Sequence, residues 1–347
     1  MIKKILAWFC ALTGIALLAS SFYMPAMLKV KWVREHQLKN TWFGKDESAW
    51  GDLTNMALLG GVEKFREPYS YKFHNPNDNG NKNIALYLYG DSYTKDVPEF
   101  AFANVGEFYH GTNTTGLAYK LDPRKKNVLI LETTERFVMG SLNNYELFNV
   151  LRKDDGQPIR ISHGGDGRKN YSVVVNKNLD YLLFDYNIVN LVRECKAGMN
   201  YSLFDRASGD VAISDNGKYL FFRTTVLPSG VFSSYAPVSD NTINDLVKGL
   251  DSVYDHYRKE GFSEVYFSII PNPATILQPG GYNNLIPRLK SNPGLRMPYL
   301  DIYDTFKKTA NPTKLYRIGD THWNDNGMQI WLNVVNTELR KKSQEWR

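Results

Sequence analysis

The chain has 347 residues, 43% hydrophobic and 22% charged, enough for one large α/β domain or two modest ones. Its formal charge of +6 suits an anionic surface such as lipid headgroups or an acidic polymer, and no dense Lys/Arg stripe points to nucleic acid. The two cysteines, Cys10 and Cys195, make no disulfide framework, and without a C-x-x-C or Cys/His cluster no structural metal or other cofactor is expected. Aromatic residues reach 14%, a richness that serves either sugar stacking or a tightly packed core.

The first element is apolar. Residues 5–28 form an uncharged run of 24 residues, long enough to cross a hydrocarbon core of about 30 Å at about 1.5 Å per residue. Lys3 and Lys4 favour an inside N-terminus, whereas Lys29, Lys31, Arg34 and Lys39 beyond the run weigh against it. A cleavable signal peptide, with Ala19 and Ser21 near the cut, fits the same stretch. Either way the rest of the chain is expected outside the cytoplasm, with residues 1–28 as an anchor or signal segment. Residues 29–70 read as a juxtamembrane stalk that becomes helical over roughly 46–66 and packs on the domain. Residues 71–347 read as the catalytic domain, interrupted by an insertion around 150–235.

Within that domain, residues 74–83 are a polar Asn/Gly/Pro loop. The run 84–89 reads as a buried strand ending in Gly90-Asp91-Ser92. Further strands are expected near 100–105, at 127–132, at 219–224, at 264–270 and at 298–303. Residues 152–172 are polar and Gly-rich, and 174–205 show no clean period. Apolar residues at 243, 246, 247, 250, 253, 254 and 257 predict a helix over 241–260, with Ser239 or Asp240 as its N-cap and Gly261 as its stop. A closing helix is expected over 326–339. Strands separated by helices argue a mainly parallel sheet.

Ser92 stands where a parallel strand delivers its carboxyl end, the side on which α/β proteins collect their sites. A serine hydroxyl needs a base, usually His, oriented by a carboxylate. Of the six histidines only His322 has a carboxylate, Asp320, two positions away in a loop that immediately precedes a helix. Gly-Asp-Ser is also good turn chemistry, and Asp320 or Asn324 could simply cap the last helix. His110 and His163 have no partner spacing and read as loop or surface residues.

Taken together, Gly90-Asp91-Ser92-Tyr93 and Asp320-Thr321-His322-Trp323 resemble the SGNH-hydrolase superfamily. More narrowly they are similar to its Asp-His-His-Trp branch, related to the extracytoplasmic O-acetyltransferases of bacterial polysaccharides, including the alginate-acetylation proteins. The segment 127–136, with Glu132, Glu135 and Arg136, resembles the strand and E-x-x-E-R stretch of the same branch. Thr321 stands where that branch has His, the Asp-to-His spacing is shorter than the superfamily's, the Ser precedes the Asp and His, and no Gly-x-Asn-Asp block occurs.

The resemblance implies a three-layer α/β/α sandwich behind one transmembrane helix. It gives Ser92 the role of acyl-accepting nucleophile, His322 that of base and Asp320 that of orienter. Gly90, Tyr93, Glu132, Arg136 and Trp323 become substrate-binding or oxyanion residues. The implied activity is O-acetyl transfer to an exported or cell-surface polysaccharide, with a multi-spanning membrane-bound O-acyltransferase as donor partner. A carbohydrate esterase with the same triad, or a non-catalytic glycan-binding assembly protein, would share these features. For Glu132 and Arg136 the residues favour instead a Glu/Arg ion pair that ties the sheet top together, and for Tyr93 and Trp323 plain packing is an equally good use.

Overall fold

The computed structural model describes residues 2–45, 50–67, 71–76, 82–112, 115–143, 147, 151–153 and 177–346. The Gly-rich stretch with His163, and part of the loop at 74–83, lie outside the described residues.

The apolar run forms a helix, Ile2–Phe22, that is long and apolar enough to cross a membrane and is only 6% buried against the rest of the protein. A signal sequence would have the same length and composition. Tyr23 interrupts it in extended backbone, and a second helix, Met24–Trp32, restarts with Pro25 in its first turn, where the missing N–H costs nothing.

The stalk packs on the domain as expected but is less helical. Residues 50–67 hold only the short helix Asp52–Met56 and a 3-10 turn at Glu63–Phe65. Leu58 takes a left-handed φ of 55°, which no α-helix accommodates. Leu53, Leu59 and Phe65 are buried in one cluster with Val211 and Leu220, so this segment is packed into the body.

The central sheet has four strands: β1 (Ile84–Gly90), β2 (Val105–Thr112), β4 (Lys126–Thr134) and β8 (Glu264–Ile270). Their order is β2-β1-β4-β8, and every pairing is parallel. All seven β1 residues are buried, which is why its run is continuously apolar instead of alternating. Two short pairs flank the sheet. One joins β3 (Leu117–Tyr119) to β5 (Leu151–Lys153), and the other is the hairpin β6 (Val211–Ile213) with β7 (Leu220–Phe222). The chain is therefore α/β with a mainly parallel central sheet.

The segment expected as a strand at 100–105 is a 3-10 turn, Glu99–Ala101, and the strand begins at Val105. Asn104 ends that turn in left-handed backbone (φ 60°) and its carbonyl accepts from Ile84 N, so pairing starts one residue later. At 298–303 only Tyr299 bridges to Phe267, because Asp301 caps a helix, Ile302–Lys308, instead. Residues 177–184 and 187–204 are helices.

Helix Asp240–Glu260 follows its sequence pattern. Ser239 accepts from Thr242 N, and Gly261 stops the helix at φ 108°. Ile243, Leu246, Val247, Leu250, Val253 and Tyr257 are its buried face. Burying each aliphatic side chain contributes roughly 1.5–3 kcal/mol. This helix packs on β8 and on helix Glu135–Asn143, while helix Asp325–Glu345 reaches the sheet through Trp331, whose Nε1 donates to Ser268 Oγ at 3.1 Å.

Candidate active site

Strand β1 ends in a turn built by its neighbours. A Cβ on Gly90 would fall 2.4 Å from Thr94 Oγ1 and 2.5 Å from Glu132 Oε2, so any larger residue there must displace one of those side chains. Asp91 is buried; its Oδ1 accepts from Tyr93 N and its Oδ2 from Thr134 N, each at 2.9 Å. One side chain thereby closes the turn and ties the carboxyl end of β1 to that of β4. Ser92 projects from this turn, half-buried. No helix follows it directly, since residues 92–96 continue as turns. The Ser92 N–H has no acceptor among the described residues.

The second half of the site is the loop 319–324, which meets Ser92 from the other end of the chain. His322 Nε2 lies 2.7 Å from Ser92 Oγ, and its Nδ1 lies 2.6 Å from Asp320 Oδ1. The same Oδ1 accepts from His322 N at 2.9 Å, which folds the D-x-H turn onto itself. Burial works to raise the Asp320 carboxyl, but hydrogen bonding and attraction from His322 outweigh it, and the pKa falls to about 2. Asp320 is therefore the ionised orienter of a Ser–His–Asp chain of hydrogen bonds.

Tyr93 and Trp323, expected to touch substrate, are both buried. The Tyr93 ring packs 4.7 Å from the His322 ring and 5.2 Å from Trp323, and its hydroxyl donates to the Thr321 carbonyl. Burial pushes that phenol well above its ordinary value, so it remains a donor. These two rings wedge the base loop against the Ser92 turn rather than presenting a surface to sugar.

Glu132 is also buried, beneath Gly90, and its Oε2 accepts from Asp91 N at 2.9 Å. Burial, then repulsion from Asp91, hold its carboxyl well above the usual range. It supports the turn from below and does not face the opening. Arg136 is 9% exposed, forms no ion pair with Glu132 among the described residues, and has a buried Nη1 without an acceptor. Glu135 does not pair with it either; it accepts from Asn272 N at 2.9 Å and from Thr275 Oγ1 at 2.6 Å, which closes the loop after β8 over the sheet top. His110 belongs to strand β2, not to a loop, and stacks on Phe108.

Asp52 belongs to the site, and nothing in its local sequence marked it. Its backbone N donates to Asp320 Oδ2 at 3.2 Å, and its carboxylate accepts from Thr321 N at 2.8 Å and Thr321 Oγ1 at 2.5 Å. Two glycines allow this approach: a Cβ on Gly51 would fall 2.3 Å from Gly319 O, and one on Gly319 would fall 2.0 Å from Thr54 Oγ1. Desolvation, then the charge of Asp320, raise the Asp52 carboxyl from its ordinary value.

Asp52, Asp320 and His322 bring potential metal ligands within 4.8 Å of one another. The 2.6 Å between Nδ1 and Asp320 Oδ1 is a hydrogen-bond separation. It is shorter than the roughly 3.3 Å between two tetrahedral ligands held about 2.0 Å from one ion. The arrangement suits a proton better than a metal.

No protein-family model, curated protein or solved structure matches this chain.

Proposed function

We propose that the protein is a serine-dependent O-acetyltransferase, anchored by its N-terminal helix with the catalytic domain outside the cytoplasm. The observation that carries this reading is the continuous hydrogen-bonded chain from Ser92 Oγ through His322 to Asp320 at the carboxyl end of β1. In the first half-reaction Ser92 Oγ attacks the acetyl carbonyl carbon of a donor. His322 Nε2 takes the hydroxyl proton and returns it to the departing donor group as the acyl–donor bond breaks. In the second, an acceptor hydroxyl attacks the acetyl-Ser92 carbonyl, its proton passes to His322, and Ser92 Oγ leaves and recovers that proton. Asp320 holds the imidazole in the productive tautomer and offsets its transient charge. This reading assigns the Ser92 N–H, which has no acceptor among the described residues, as an oxyanion donor in both steps.

The acceptor under this reading is an exported or cell-surface polysaccharide, and the donor partner is a multi-spanning membrane-bound O-acyltransferase. The SGNH-type three-layer α/β/α arrangement is part of the same proposal. It is supported by helices Glu135–Asn143 and Asp240–Glu260 packing on each other beside β4 and β8, while Ile302–Lys308 and Asp325–Glu345 form a second pair.

The test is acetate release from a chromogenic acetyl ester by the purified full chain, repeated with added oligosaccharides. The proposal expects an acetyl adduct on Ser92 by mass spectrometry, its loss in Ser92→Ala, and acetylated sugar when an acceptor is present. Free acetate alone, unchanged by any acceptor, would make the protein an esterase. Neither turnover nor adduct would rule out both enzyme readings and leave glycan binding.

A further inference from the structure

Helix Asn187–Phe204 turns its apolar face outward. At about 100° per residue, Ile188, Leu191, Val192, Cys195, Met199 and Leu203 fall within an arc of roughly 120°. The five aliphatic side chains in that arc are 39–66% exposed, and Cys195 is exposed with them. The opposite face carries Ala197 and Tyr201, which pack on the cluster of Leu53, Leu59 and Phe65. One face of the helix is thus accounted for by the protein core, and the more apolar one is not covered by any of the described residues.

We propose that this stripe lies in the surface of the bilayer that holds the N-terminal helix, with an anionic phospholipid leaflet as its occupant. Three observations select lipid. The segment leading into the stripe is fixed to the end of the membrane-length helix: Met27 is buried against Tyr181 and Leu182, and Asn178 Nδ2 donates to Ser21 O at 2.9 Å. Arg34, itself buried, donates to the Tyr181 and Leu182 carbonyls at 2.7 and 3.1 Å and lies 3.9 Å over the Tyr186 ring. The start of the stripe cannot be far from where the chain leaves the membrane.

Next, Ile188 N donates to Trp42 O at 3.2 Å and Asn187 N to Gly44 O at 3.0 Å. That pins a turn whose Trp42 and Phe43 are 71% and 66% exposed beside the first stripe residue. Exposed indole and phenyl rings next to an apolar helix face are what an interfacial anchor presents to headgroups. Finally, Lys29, Lys39 and Lys196 are exposed along the same N-terminal segment and helix, the charge complement of an anionic leaflet. The buried face of this helix shares its core with Leu53, next to Asp52.

The inference rests on the anchored reading of the N-terminal helix and not on the chemistry of Ser92. The two native cysteines make the test direct. The full chain is reconstituted into vesicles of phosphatidylglycerol and phosphatidylethanolamine, with a nitroxide on Cys195 in Cys10→Ser or on Cys10 in Cys195→Ser. Power saturation with oxygen and with a water-soluble nickel chelate then reads the depth of each label. Both labels are expected in lipid, Cys10 deep and Cys195 shallow. In the Cys-free background, Leu191→Cys and Met199→Cys labels should match Cys195, while an Asn200→Cys label stays in water. Cys195 in water with Cys10 in lipid overturns the stripe and spares the anchor. Both in water overturns the two together. Exclusion of both reagents at Cys195, with spin–spin broadening, overturns lipid in favour of a second copy of the chain.

Discussion

Asp52 and Asp320 are bound to each other through backbone and side chain. The Asp52 N–H reaches Asp320 Oδ2, and the Asp52 carboxylate holds Thr321, the residue between Asp320 and His322. The base loop is therefore gripped from outside by a segment 268 positions earlier in the chain. Losing a hydrogen bond to a charged group costs about 1.5–3 kcal/mol. Asp52→Ala is expected to lower kcat roughly 10- to 100-fold with little change in KM, because the loop loses its register while the Ser92 turn stays intact. Asp52→Asn keeps an acceptor for Thr321 and should recover most of that loss. Steady-state kinetics on an acetyl ester decide it, and equal activity in wild type and Asp52→Ala would remove Asp52 from the site.

Asp320→Asn should be far more damaging than its size suggests. The amide can donate to Nδ1 and stabilise the tautomer with its proton on Nε2, the wrong one for accepting from Ser92. A fall in kcat of about 10⁴ is expected, with the fold intact by circular dichroism. The pH behaviour follows from the carboxyl being held near 2. A depressed folded value contributes stability that is present above the unfolded value of about 3.9 and is lost as pH falls towards 2. Asp320 is thus ionised throughout the neutral range. Wild type should lose more stability between pH 4 and pH 2 than Asp320→Asn does, measured by denaturant titration.

Glu132 runs in the opposite direction. Its carboxyl is raised in the fold, so the native state holds a proton that the unfolded chain releases above about pH 4.3. Stability must then fall as pH rises, by up to about 1.4 kcal/mol per pH unit while the native group stays protonated. Glu132→Gln keeps an oxygen acceptor for Asp91 N and removes the titration. The variant should match wild type near pH 4 and exceed it at pH 7, read as midpoint shifts in urea. No pH-dependent difference between the two would mean that Glu132 is ionised in the fold.

Much of this architecture is legible because short-range patterns and burial agree. Strand Glu264–Ile270 and helix Asp240–Glu260 carry their own punctuation in Ser239 and Gly261, and the run 84–90 has no polar residue to place on a wet face. Ser92, Asp320 and His322 are legible only as a pair of motifs, since Gly-Asp-Ser alone is turn chemistry and Asp320 alone could cap a helix. What escaped depends on contacts made at long range. Asp52 is an ordinary first-turn carboxylate until Gly51 and Gly319 let two backbones touch. For Tyr93 and Trp323 local sequence allows both sugar stacking and packing, and only the contact between the two rings decides for packing. Helix Asn187–Phe204 hid its period because its apolar residues serve two faces, one inward and one outward.

Gly90 tests how tightly the turn is specified. An alanine there would set its Cβ 2.4 Å from Thr94 Oγ1 and 2.5 Å from Glu132 Oε2, both on buried side chains. Overpacking of this kind typically costs about 1–3 kcal/mol. The strain also acts on chemistry, because Asp91 and Ser92 follow directly and the Asp91 carboxylate spans to Thr134. Relief by moving Glu132 would break its bond to Asp91 N and tilt the Ser92 hydroxyl away from His322. Gly90→Ala should therefore lower the urea midpoint and reduce acylation of Ser92 by more than the lost stability alone explains. Acylation by a fluorophosphonate probe at a temperature where the variant is fully folded separates the two effects. A folded variant that reacts at the wild-type rate would show that the turn tolerates a shifted Glu132.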